Sequence, residues 1–259
     1  MLKVRVIPTL LWKSVGLVKG IGFDSWRRVG TALPAVKVYN TRDVDELILL
    51  DITATAEGRP PDIEIVAELA SECFVPFTVG GGISDVTTVR KLLRAGADKI
   101  VINSAAYRLP ELVTEVALRF GSQCIVASID VRCHEGRYEC FALSGREATG
   151  RAPEEWAQQL ENYGAGEILL TRVEFDGMMS GYDVELIRRV SDSVTIPVIA
   201  SGGAGHYAHM YAALTEGRAS AVAAASMFHF TEQTPAEAKA YLAARGIPVR
   251  DSQASHAKT

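Results

Sequence analysis

Eight short runs of apolar residues recur along the chain, at 4–10, 47–51, 74–79, 99–102, 124–129, 167–170, 194–200 and 219–224. Each run is continuous rather than alternating, the pattern of a parallel strand covered on both faces. Between the runs, apolar positions fall at three- and four-residue spacing, as in Ile63, Val66, Ala67, Leu69 and Ala70 or in Val89, Leu92 and Leu93. That spacing predicts amphipathic helices, and Asp85 stands where an N-cap would open the second of them. Strand and helix alternate throughout, so right-handed βα crossovers close an α/β fold of the (β/α)8 TIM-barrel type. The barrel spans residues 1–250. The polar, aperiodic segment 251–259 predicts a disordered tail.

The second half of the chain repeats the first. Val75-Pro76-Phe77-Thr78-Val79-Gly80-Gly81-Gly82 is answered by Ile196-Pro197-Val198-Ile199-Ala200-Ser201-Gly202-Gly203, and Glu46-Leu47-Ile48-Leu49-Leu50 by Glu167-Ile168-Leu169-Leu170-Thr171. Glu46 and Glu167 are 121 positions apart, as are Gly82 and Gly203, so one register covers two (β/α)4 halves, about 1–120 and 121–250. In that register Asp130 falls opposite Leu11, 119 positions earlier, with two residues absorbed in loops. A duplicated barrel with a carboxylate at one strand end predicts another at its mate. Position 11 holds leucine instead.

Composition narrows the class. A chain of 259 residues suits one such barrel, and 48% hydrophobic residues with a mean hydropathy of +0.11 supply a large core. A net charge of −4 gives no reason to expect nucleic acid or an anionic membrane as partner. No apolar run reaches the roughly 18 residues of a membrane span. Charge inside the first strand, at Lys3 and Arg5, argues against a signal peptide, so a cytoplasmic protein is expected. Cys73, Cys124, Cys133 and Cys140 form no CxxC and no zinc spacing, and read as reduced thiols. His206 and His209 lack a third ligand, so neither a metal nor a cofactor is expected.

Barrel active sites lie at the C-terminal strand ends. Two clusters there repeat one device, a glycine run after one strand and a small hydroxyl residue opening the helix after the next. The first comprises Gly82, Asn103 and Ser104; the second comprises Gly177, Ser201, Gly202, Gly203, Ala225 and Ser226. Glycines let a phosphate approach the backbone and helix N-termini aim N–H groups at it, so the pair suggests an extended substrate with an anion at each end. Asp130 stands between them as a general acid/base or, more plainly, a turn aspartate. Asp51 ends another strand. Asp176, followed by Gly177, reads equally as an Asx turn or a ligand to substrate hydroxyls. Lys19 lies in the glycine-rich segment 15–22, read as a flexible lid loop or simply a solvated surface. Trp12, Trp26 and Trp156 read as core or interface anchors. At the opposite rim Arg5, Glu46, Lys99 and Glu167 begin strands 1, 2, 4 and 6, and their alternating signs allow a charged ring on the barrel floor.

These residues together resemble the cyclase subunit of imidazole glycerol phosphate synthase, from Met1 to about Arg250. The stretches that carry the likeness are Leu50-Asp51-Ile52-Thr53-Ala54, Phe77-Thr78-Val79-Gly80-Gly81-Gly82-Ile83, Gly96-Ala97-Asp98-Lys99, Gly164-Ala165-Gly166-Glu167, Asp176-Gly177, Ser180-Gly181-Tyr182-Asp183 and Ala200-Ser201-Gly202-Gly203-Ala204-Gly205. The resemblance implies a barrel that docks a glutamine amidotransferase on its N-terminal face and passes ammonia through a gate of Arg5, Glu46, Lys99 and Glu167. It places Asp98 at the glutaminase interface, and a phosphorylated small molecule or sugar at the mouth. It implies two catalytic aspartates, of which Asp130 is present and the other is replaced by Leu11, with Lys19 assisting. A leucine neither moves a proton nor accepts a hydrogen bond. This departure resembles a branch associated with amidation of bacterial surface sugars. The readings to separate are therefore ammonia delivery for sugar amidation, ordinary cyclase chemistry in histidine biosynthesis, and non-catalytic activation of a glutaminase.

Overall fold

A computed structural model describes residues 3–14 and 16–250; the segment read as a tail, 251–259, lies outside them. In chain order the elements are β1 (Arg5–Lys13), β2 (Gly16–Ile21), β3 (Asp24–Gly30), α1 (Ala32–Thr41), β4 (Leu47–Asp51), α2 (Ile63–Ser71), β5 (Phe77–Gly80), α3 (Val86–Arg94), β6 (Lys99–Ile102), α4 (Ser104–Arg108), α5 (Glu111–Phe120) and β7 (Ile125–His134). They continue with β8 (Arg137–Ala142), β9 (Glu147–Ala148), α6 (Pro153–Tyr163), β10 (Glu167–Arg172), α7 (Val184–Ser191), β11 (Val198–Ser201), α8 (Tyr207–Thr215), β12 (Ala221–Ala224), α9 (Ser226–Phe230) and α10 (Pro235–Ala243).

Parallel pairing runs β1–β4–β5–β6–β7–β10–β11–β12 and returns to β1, so eight strands form a closed barrel. No helix among the described residues is long and apolar enough to cross a membrane. Local sequence starts the outer helices: the Asp62, Asp85 and Asp183 carboxylates accept from the first-turn amides of α2, α3 and α7, and Thr234 with Glu237 forms a capping box on α10. Apolar residues fill two layers. One lies between strands and helices. The other lies inside the barrel and comprises Ile7, Ile48, Val101, Val126, Leu169, Ile199, Ala221 and Ala223. Each large aliphatic side chain buried there contributes about 1.5–3 kcal/mol.

Strict alternation of strand and helix does not hold. β2 and β3 form an antiparallel hairpin on the extended end of β1, and β8 and β9 do the same on β7. Within the segment read as a flexible loop, Gly16–Ile21 is an ordered strand paired with β1, with Leu17 and Val18 buried. Strand bounds also move. β1 and β7 run past the predicted ends into their hairpins, whereas 194–197 and 74–76 precede β11 and β5, with Phe74 exposed. All four cysteines are free thiols. Trp156 is buried and stacks on Tyr107 at 4.6 Å, while Trp26 turns into the barrel mouth.

Candidate active site

Alternate residues of a strand face the same side, so the interior reads in layers from floor to mouth. Along β1 the inward series is Arg5, Ile7, Thr9 and Leu11. At the floor, Arg5 Nη1 donates to Glu46 at 2.5 Å and Nη2 to Glu167 at 3.0 Å. Lys99 Nζ reaches Glu46 and Glu167, each at 3.0 Å. The four side chains therefore close a ring of alternating charge, with Thr78 Oγ1 donating to Glu46 at 2.7 Å. Burial alone would depress the Arg5 guanidinium, but Glu167 and Glu46 overcome it and hold its pKa above the ordinary value. Asp98 is exposed beside Lys99, and its carboxylate accepts from the Phe77 amide at 2.8 Å. Above the ring stands the apolar layer of the barrel interior.

The mouth is a cavity lined by every substrate or catalytic candidate named above. Asp130 is buried at its wall, where Asn103 Nδ2 donates to it at 3.1 Å and Ser128 Oγ at 3.3 Å. Burial pushes its carboxyl up to about 7; the Ser128 hydrogen bond opposes the rise and Asp176 adds to it. A carboxyl near neutrality suits proton transfer. Leu11 also lines the mouth, 8% exposed. The ladders pair Leu11 with Leu50 and Asp130 with Thr171, and Leu50 and Thr171 are themselves 121 positions apart. Leu11 thus occupies the place in its half that Asp130 occupies in the other.

Lys19 is not a solvated loop residue. It is 2% exposed and its Nζ lies 2.6 Å from Asp176 Oδ2, while the Gly22 amide donates to the Asp176 carbonyl at 2.9 Å. A Cβ on Gly177 would meet the Gly20 carbonyl at 2.2 Å, so glycine permits the hairpin to rest there. The β2–β3 turn crosses the mouth far enough for Phe23 to lie against Gly145 of the other hairpin.

Asp51 is tied up internally. Its carboxylate takes both terminal nitrogens of Arg59, at 2.7 and 3.0 Å, and accepts the amides of Thr53 and Ala54. In the first glycine cluster the Gly82 amide donates to Thr55 Oγ1 at 3.1 Å, and Ser104 Oγ accepts from Leu143 at 3.0 Å. In the second, Gly203 has φ +109, and a Cβ there would meet the Gly181 carbonyl at 1.9 Å. The sequence reading missed Thr9, Ser128, Thr171, Phe23 and Trp26, which also line the mouth. Thr9 and Ser128 were within reach, since they precede Leu11 and Asp130 by two residues each.

The molecule is thus a (β/α)8 barrel with a buried carboxyl, Asp130, in the wall of its mouth and a charged ring at its floor. The sequence model described as "Histidine biosynthesis protein" matches residues 5–234, and the chain belongs to that family. The match supports the cyclase-like assignment that the residues themselves carry.

Proposed function

We propose that this chain is the ammonia-channelling synthase subunit of a glutamine-dependent complex, delivering ammonia for amidation of a bacterial surface sugar and not for imidazole formation. One observation carries the reading. The floor ring of Arg5, Glu46, Lys99 and Glu167 is complete, whereas the mouth holds Asp130 facing Leu11 in place of a second carboxylate. A glutaminase subunit docks on the N-terminal face, with Asp98 at the contact, and neutral ammonia passes the ring and the apolar layer. In the mouth Asp130 moves protons and Lys19 assists. A phosphorylated or sugar substrate lies between the cluster of Gly82, Asn103 and Ser104 and that of Gly177, Gly203, Ala225 and Ser226, with Asp51, Asp176, Ser201 and Gly202 at its sides. The complex works in the cytoplasm.

The test is ammonium-driven turnover of the histidine-pathway bis-phosphate substrate by the purified chain. Loss of one positioned acid/base group costs about 10²- to 10⁴-fold, so the wild-type chain is expected to be nearly inactive and Leu11→Asp to recover part of the rate. Wild-type turnover of about 1 s⁻¹ or faster would overturn the reading in favour of a working cyclase.

A further inference from the structure

The β2–β3 hairpin carries an irregularity that aims one side chain. Lys19 pairs with Arg27 and Ile21 with Asp24, so Gly20 alone faces two residues, Ser25 and Trp26. Ser25 takes a left-handed conformation, φ +54. Bulges of this kind occur beside active sites, where they re-aim a side chain. Here that side chain is Trp26, the one residue of 24–28 that is not exposed, and it lines the mouth. A Cβ on Gly20 would meet the indole Cε3 at 2.7 Å and Cζ3 at 3.0 Å. The ring therefore rests on bare backbone, and a larger residue would displace it. The cross-strand pair next to the bulge is fixed at both ends. Lys19 Nζ lies 2.6 Å from Asp176 Oδ2, and the Arg27 guanidinium sits 3.8 Å from the centre of the Phe230 ring.

The order of the strands divides the lining of the mouth into two sides. β12, β1 and β4, with the hairpin that grows from β1, contribute Ala223, Ala224, Leu11, Leu50 and Trp26, with Thr9 beneath them. Two charges on this side are already committed, Lys19 to Asp176 and Asp51 to Arg59. On the side of β6, β7, β10 and β11 lie Asn103, Ser128, Asp130, Thr171 and Ser201. One side thus offers apolar surface and an indole, the other hydroxyls, an amide and a carboxyl. We infer that Trp26 is a stacking platform that sets the class of ligand in the mouth, and that the ligand is a pyranose ring carrying a phosphate. A pyranose has the same two aspects. The C–H bonds of one face lie against an aromatic ring, and the hydroxyls around its edge hydrogen-bond to the polar side. Its phosphate falls to one of the glycine clusters. A linear polyol phosphate has no face to offer the indole. The inference rests on reading the mouth as a phosphate-bearing substrate site, and not on the delivery of ammonia.

The test is binding of three probes to the purified chain: glucose 6-phosphate, uridine monophosphate and glycerol 3-phosphate. The chain has three tryptophans, so nuclear magnetic resonance of the indole N–H groups shows three signals, and Trp26→Phe identifies one by removing it. Glucose 6-phosphate is expected to shift that signal and to leave those of Trp12 and Trp156, neither of which lines the cavity, in place. Loss of one stacked ring from an aromatic platform weakens binding about 5- to 150-fold. Trp26→Ala should therefore weaken glucose 6-phosphate about tenfold or more, and Trp26→Leu, which keeps apolar bulk over Gly20 but cannot stack, should do the same. Trp26→Phe should retain most of the affinity. Glycerol 3-phosphate should not distinguish the four forms.

A Trp26 signal unmoved by glucose 6-phosphate would overturn the inference, as would Trp26→Leu binding it as tightly as wild type. Equal weakening of glucose 6-phosphate and glycerol 3-phosphate in Trp26→Ala would mean that the indole only holds the hairpin in place, and would overturn it too. If uridine monophosphate alone moves the Trp26 signal, the flat ligand is a nucleobase and the pyranose assignment falls. If glucose 6-phosphate binds through Trp26 while the chain turns over the histidine-pathway substrate at an ordinary rate, the inference stands and the reading as a sugar-amidation subunit falls.

Discussion

Glu46→Gln is the sharpest perturbation of the floor ring. The Glu46 side chain is 1% exposed, and its carboxylate receives Arg5 at 2.5 Å, Lys99 at 3.0 Å and Thr78 at 2.7 Å. The amide keeps the shape but removes the charge, leaving two cations to share Glu167. Breaking a buried pair by removing one partner costs about 3–5 kcal/mol. Arg5 and Lys99 are 23% and 15% exposed, so water takes part of the load and the lower end, about 3 kcal/mol, applies. In a domain of this size that corresponds to a fall in Tm of roughly 6–12 °C. Glu167→Gln should cost less, since Glu167 is 13% exposed and has no third donor in the ring. Adding Lys99→Met to Glu46→Gln should restore part of the loss, because the stranded cation is then gone. Equilibrium urea unfolding measures all three. A Glu46→Gln chain within about 0.5 kcal/mol of wild type, or strictly additive effects of the two substitutions, would refute a tightly coupled ring.

Two further outcomes follow from the mouth. Asp130 titrates near 7 when folded, against 3.8 for an ordinary aspartate, so the folded chain holds a proton that the unfolded chain releases between those values. Stability from this group is therefore full below about pH 4 and lost as pH rises towards 7. Asp130→Asn should remove that slope and raise Tm relative to wild type at pH 8 but not at pH 4; a difference constant with pH would refute it. Lys19→Met should loosen the β2–β3 hairpin. A hydrogen bond to a charged group is worth about 1.5–3 kcal/mol, so amide exchange at Gly22 should accelerate at least about tenfold, and unchanged protection would refute the tether.

Much of this architecture was legible because burial on both faces leaves so plain a mark. Continuous runs such as Leu47–Asp51 and Lys99–Ile102 are the pattern of parallel strands covered on both faces. The floor ring was legible through the repeat, since Glu46 and Glu167 answer each other, although only folding could show that Arg5 and Lys99 bridge the two carboxylates. The hairpins were not legible. Glycines at 16, 20 and 22 hid a strand whose Leu17 and Val18 are held by β1. Lys19 looked solvated because a charged residue among glycines normally is, and its partner Asp176 lies 157 positions away. The aim of Trp26 was invisible too. A tryptophan declares its type in the sequence but not the bulge that turns it into the mouth.

The closure of the barrel also brings the segment before β1 beside the segment after α10. The Val4 amide donates to the Pro248 carbonyl at 2.7 Å, and Val4 pairs in parallel with Val249. A short splice from Arg250 back to Lys3 would join them, and the turn at Gly121, with φ +91, offers a natural place for a new opening. A chain circularly permuted in this way keeps every parallel ladder and places the Asp130 half first. Which half is synthesised first is then a matter of gene order, not of architecture.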